Sequence, residues 1–195
     1  MLNKELISSA EGRLEQYKAD HSFRVMYLAR EIFRLEAINA PEEIHQEPAF
    51  FIEVLDWAGA LHDTEMKELN DFTHGQKAAE KVDQIIGDKL SEKGRNLVKL
   101  LCNCHWVDDN EIYGLNPTEA WLLKVFKDAD NLDGVRFSKN GILDESRFRL
   151  RFQSSRELIG KAGELWGKTH QIFETQYQAF NEVSKAAVEI GLIIQ

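Results

Sequence analysis

A histidine takes a core position in the run Leu14, Tyr17, His21, Val25, Leu28, Ile32, Leu35, whose steps of three and four residues mark one face of a helix. Such a stripe is buried against other helices, so an imidazole within it must find a partner inside the protein. The intrusion recurs. Phe51, Val54, Leu55, Ala58 and Leu61 run directly into the pair His62-Asp63. His74 opens a stripe of Ala78, Ala79, Val82, Ile85 and Ile86, and His105 follows Leu97, Val98, Leu101 and Cys104. Asp130 lies in phase with Leu123 and Phe126. Inward-facing imidazoles and carboxylates must satisfy one another or share cations. Neutral imidazole and carboxylate are ligands that Zn, Mn and Fe accept.

The pattern between these points predicts an all-α fold. A first helix is expected over 3–37 and a Pro-bearing connection over 39–48. A second helix covers 49–61, a polar loop 64–73, and a third helix starts at His74. Ser91 is a suitable cap for a fourth helix. After a loop over 107–115, Asn116-Pro117-Thr118-Glu119 combines an N-cap, a first-turn proline and a glutamate three residues on, the signature of a helix start. Two further helices follow a loop over 134–144, the last expected over 163–190. The alternation of Arg147 to Phe152 suits a strand or the lead into a helix. A chain of 195 residues without repeats or linkers reads as one domain.

The net charge of −9, with no long basic tract, disfavours a nucleic-acid partner. No run reaches the roughly 18 apolar residues of a membrane span, and the start lacks the apolar core of a signal peptide. A cytoplasmic location is therefore expected, with a homo-oligomer left open. Cys102 and Cys104 are too few for a disulfide framework. On a helix they point about 200° apart, so both thiols cannot join His105 at one ion, and core packing is expected of them. His45 and His170 lie outside the stripes, and the tryptophans are expected in the core and cleft wall.

Taken in order, His21-Ser-Phe-Arg24-Val25, Ala58-Gly-Ala-Leu61-His62-Asp63, His74-Gly75-Gln-Lys-Ala78-Ala79, His105 and Lys127-Asp-Ala-Asp130-Asn-Leu132-Asp133 resemble the HD-domain superfamily of metal-dependent phosphohydrolases. The resemblance covers about residues 17–136. It implies an HD-type helical bundle, which residues 137–195 would extend with C-terminal helices that complete the core and wall the cleft. It further implies that His21, His62, Asp63 and Asp130 bind a first divalent transition metal (Mn, Fe, Co, Ni or Zn). His74 and His105 would add a second, with Asp63 bridging. A carboxylate has two oxygens and can hold two cations about 3.5–4 Å apart, where an imidazole holds one. The implied reaction is hydrolysis of a nucleotide or other small phosphorylated metabolite by a metal-bound hydroxide.

Around these ligands the sequence offers helpers. Arg24 follows His21 by three residues and Lys127 precedes Asp130 by three, so each shares a face with a ligand. Each suits a substrate phosphate or a neighbouring carboxylate. Asp133, one turn beyond Asp130, is placed to orient a ligand or the attacking water. Glu65 and Glu68 are candidate general acids or solvated loop carboxylates, and Lys77 and Arg136 are expected at the surface. One rival shares the ligand set, a di-iron oxygenase resembling myo-inositol oxygenase. A rival of another class is a regulatory module that binds a nucleotide or metabolite without turnover, and the complete ligand set argues against it.

Overall fold

The computed structural model describes residues 6–7, 16–66, 71–138, 144, 148–170, 173 and 175–193. Among them are nine α-helices and no strand. The first, α1, spans Gln16–Glu36, and its buried face carries Phe23, Met26, Tyr27, Leu28 and Ile32. Around it pack α3 (Pro48–Leu61), α6 (Pro117–Leu132) and α9 (Gln176–Glu189). Helices α4 (His74–Ile86) and α5 (Glu92–Cys104) pack as a pair, and α5 rests on α3 and also touches α6.

Local chemistry sets the helix starts. Asn116 Oδ1 accepts the amide of Glu119 at 2.9 Å, and Glu119 Oε2 accepts the amide of Asn116 at 2.9 Å, a reciprocal cap that fixes the entry to α6. Ser91 Oγ accepts the amide of Gly94 at 3.2 Å and begins α5. Where α1 crosses α3, Gly59 supplies the clearance. A Cβ there would lie 2.4 Å from Met26 Cγ, so any side chain would displace the Met26 side chain from the crossing.

Several elements depart from the sequence expectation. The connection over 39–48 holds a short helix α2 (Glu42–Gln46), which carries His45. The expected long last helix is two, α8 (Ile159–Thr169) and α9, preceded by the short α7 (Gln153–Glu157). The loop after α6 begins with a 3-10 turn, Asp133–Phe137. The described part of the alternating run, 148–152, is neither strand nor helix. Buried Asp128 pins it by accepting the amides of Arg151 (2.8 Å) and Phe152 (2.9 Å) and the Arg151 guanidinium (3.2 Å). Leu35 closes the first stripe but is 37 % exposed, because α1 has reached the bundle end there. Leu14 and the side chain of Tyr17 lie outside the described residues. Among the described residues no helix is long and apolar enough to cross a membrane.

Candidate metal centre

Five elements deliver the six donors to one place. His21 comes from the first third of α1, His62 and Asp63 follow the last residue of α3, and His74 opens α4. His105 caps the C-terminal end of α5, and Asp130 sits in the last turn of α6. Three helices therefore direct the negative ends of their dipoles at the cluster and one, α4, its positive end, a balance that favours cations.

One local device orients three of the four imidazoles. His62 Nδ1–H donates to Gly59 O (3.0 Å), His74 Nδ1–H to Asp71 O (2.5 Å) and His105 Nδ1–H to Cys102 O (2.7 Å). Each acceptor is the carbonyl three residues back. For His62 and His105 it is among the last carbonyls of a helix, which lack a full set of intrahelical partners. His21 Nδ1 instead donates to Asp133 Oδ2 at 2.7 Å. With the Nδ1 of His62, His74 and His105 committed as donors to carbonyls, each of these rings, when neutral, presents an unprotonated Nε2 inward.

The four Nε2 atoms and two carboxylates form two overlapping donor sets, with His105 also within reach of His62 and Asp130. His21 Nε2 lies 3.2 Å from His62 Nε2, 3.4 Å from Asp63 Oδ2 and 3.4 Å from Asp130 Oδ1. His62 Nε2 lies 3.7 and 3.8 Å from the same two oxygens. In the second set, His74 Nε2 and His105 Nε2 are 2.9 Å apart, and Asp63 Oδ1 stands 3.3 and 3.5 Å from them. Donors about 2.0–2.2 Å from a shared ion lie about 2.8–3.6 Å from each other at octahedral to tetrahedral angles. The second set and the His21 distances fall inside that range, and His62 stands slightly beyond it at 3.7 and 3.8 Å from the two carboxylates. Asp63 divides its two oxygens between them. The buried clusters have the chemistry and the spacing to hold a metal ion.

Charge inside the cluster points the same way. Burial opposes the imidazolium of His62, but Asp63 and Asp130 outweigh it and raise His62 to about 9. Burial opposes the carboxylate of Asp63, yet His62, His105, His21 and His74 hold it well below the usual range. Asp130, also opposed by burial, falls to about 2 under the influence of His62 and His21. Without a cation the site gathers protons in its place.

Behind His21 stands a buried ion network. Arg24 Nε and Nη2 donate to Asp133 Oδ1 (2.5 Å) and Oδ2 (3.0 Å), and Nη1 donates to Asp20 Oδ2 (2.5 Å) and Thr169 Oγ1 (3.3 Å). Despite burial, Arg24, His21 and Arg136 drive the Asp133 carboxyl far below its ordinary value. Asp133 thus orients a ligand. Arg24 is only 1 % exposed and its guanidinium is committed to carboxylates, the second of the two roles its spacing suits, and not to the cleft as a phosphate ligand would be. Thr169, from the end of α8, ties the C-terminal helices to this layer.

Lys127 also turns away. Its Nζ donates to Val107 O (2.5 Å) and Asp109 Oδ1 (2.7 Å), so the structure does not bring it to the donor sets. Arg136, expected at the surface, is beside them instead. Its Nη1 donates to Asp133 Oδ2 at 2.6 Å and touches the His21 ring, while the side chain keeps 23 % exposure. Asp128, buried beside Asp130 in sequence, serves the 148–152 segment rather than the cluster. Glu65 pairs with Lys81 at 2.6 Å and Lys77 with Asp71 at 2.9 Å, and Glu68 lies outside the described residues. Cys102 and Cys104 are buried free thiols. His170 is exposed and stacks on Trp166 at 4.5 Å.

Compared with family models, curated proteins and solved structures, the chain matches none.

Proposed function

We propose that this chain is a metal-dependent phosphohydrolase of the HD-domain superfamily, acting on a nucleotide or other small phosphorylated metabolite. The observation that carries the reading is the division of Asp63, with Oδ2 toward His21 and Oδ1 toward His74 and His105. A carboxylate used this way suits a pair of divalent cations, and nitrogen-oxygen donor sets suit Mn, Fe, Co, Ni or Zn. When bound, such cations supply Lewis acidity, bringing a coordinated water into the neutral titration range and offsetting phosphate charge.

The chain's own residues supply the rest. Asp63 fixes the spacing of the two donor sets. Asp133 holds His21 in the tautomer that presents Nε2, and Arg24 holds Asp133. Arg136, paired through Nη1 with Asp133 and part exposed, lies at the rim, where the remaining face of a planar guanidinium suits the paired oxygens of a phosphoryl group. The net charge of −9 argues for a small substrate drawn by local cations over a polyanionic nucleic acid.

A screen of phosphomonoesters, dinucleoside polyphosphates, cyclic dinucleotides and nucleoside triphosphates, with Mn, Fe or Co supplied under strict anaerobiosis, tests this. Release of phosphate or a nucleotide without dioxygen is expected. Strict dependence on dioxygen would assign the chain to oxygenase chemistry, and binding without turnover under every metal would assign it to a regulatory module.

A further inference from the structure

Two large aromatic side chains next to the second donor set are left uncovered. Phe72, two residues before His74, is 67 % exposed, and Trp106, immediately after His105, is 41 % exposed. Their ring centroids lie 6.0 Å apart with planes at 45°, and the indole lies 6.3 Å from the His74 ring. The indole is seated on the first turn of α4. A Cβ at Gly75 would come within 2.9 Å of its Cδ1 and Nε1 and 2.4 Å from Cys102 O, so glycine is what lets the ring lie there. A ring fixed in this way beside a donor set is already organised for a ligand.

We propose that Phe72 and Trp106 form a platform that selects phosphate esters carrying a planar ring, either a nucleobase or an aryl group. The inference rests on the phosphohydrolase reading, because it takes the phosphate to sit at the neighbouring donors. From His74 the indole is about one ring's breadth away, so the organic part of such an ester meets it first. An aliphatic group would gain only buried area there, whereas a planar ring gains stacking as well. Two side chains fall far short of the roughly 800 Å² per partner of a stable protein interface, but they match the size of one ring system.

The test uses phosphonates, whose carbon–phosphorus bond resists hydrolysis, so equilibrium binding is read on the Mn-loaded protein. Phenylphosphonate and the methylenephosphonate analogue of adenosine monophosphate are compared with propylphosphonate. Calorimetry gives the affinities and elemental analysis confirms the metal content of each variant. Both ring-bearing ligands are expected to bind more tightly than propylphosphonate. Trp106→Ala and Phe72→Ala should each shrink that preference by roughly 5- to 150-fold, and Trp106→Phe should restore most of it. The ratio of purine to phenyl binding separates a nucleobase site from an aryl site.

A preference unchanged in both alanine variants would overturn the platform. Phosphonates bound with no ring preference would also overturn it while leaving the phosphohydrolase reading intact. If no phosphonate binds but adenosine alone quenches indole emission in a Trp106-dependent way, the platform stands and the phosphate reading falls.

Discussion

The Nε2 atoms of His74 and His105 face each other across 2.9 Å, while both rings donate their Nδ1 protons to backbone carbonyls. Two neutral rings so committed oppose lone pair to lone pair. A second proton on one ring relieves the conflict, and a cation between them relieves it for both. Despite burial, His74 is pushed upward by Asp63 and the Asp71 carbonyl, which is the protonated solution. A bound metal is the other.

The pH dependence of stability should therefore differ with metal. His62 is raised to about 9 from 6.5 in the folded, metal-free chain. Its contribution is fully present below pH 6.5 and lost as pH rises through about 9. Melting temperature in chelator is expected to fall across that window. With saturating Mn the proton is displaced and the fall should disappear. Parallel curves with and without metal would contradict the assignment.

Asp63→Ala removes the carboxylate whose two oxygens face the two donor sets. It should abolish tight metal binding and with it any metal-dependent gain in stability. For the wild type that gain is about 2.7 kcal/mol at a free metal concentration of 100 Kd. For a chain of this size it amounts to a rise in Tm of roughly 5–10 °C. Differential scanning calorimetry with and without Mn measures the difference, and an undiminished rise in the variant would argue against the site.

His74→Ala and His105→Ala should behave alike and unlike His21→Ala. Each is expected to lose the second ion and keep the first, so that bound metal falls by about half without gross unfolding. His21→Ala should instead weaken the first set. Circular dichroism together with metal content separates the two outcomes.

Asp133→Asn keeps every donor but withdraws the charge behind His21 and one partner of buried Arg24. Metal affinity should drop by about 10- to 100-fold. Breaking a buried ion pair costs about 3–5 kcal/mol, and the remaining contact to Asp20 places the expected loss at the lower end. Metal titration and urea denaturation report the two effects separately.

The six donors were legible in the sequence because a helix face at core spacing tolerates little besides apolar side chains. His21 between Leu14 and Val25, or Asp130 after Phe126, stands out against that background. Cap chemistry marked the starts of α5 and α6 for a similar reason, since Ser91 and the Asn116–Glu119 pair act on amides within three residues.

What the sequence concealed depends on partners far along the chain. Lys127 shares a face with Asp130, but its amine is taken by Asp109 and the Val107 carbonyl, 18 and 20 residues away. Arg24 points to Asp133, 109 residues on, which no local spacing encodes. Nothing in the 134–144 sequence signals the 3-10 turn that returns Arg136 to His21. The break between α8 and α9 carries neither proline nor glycine, and apolar residues continue through Phe173 and Phe180, so periodicity could not register it.

The central claim is that one carboxylate joins two metal sites, and elemental analysis tests it most directly. Wild-type protein loaded with Mn and freed of unbound ions is expected to hold two per chain, Asp63→Ala none and His74→Ala one. A wild type that never retains more than one ion, or an Asp63→Ala variant that retains two, would contradict it.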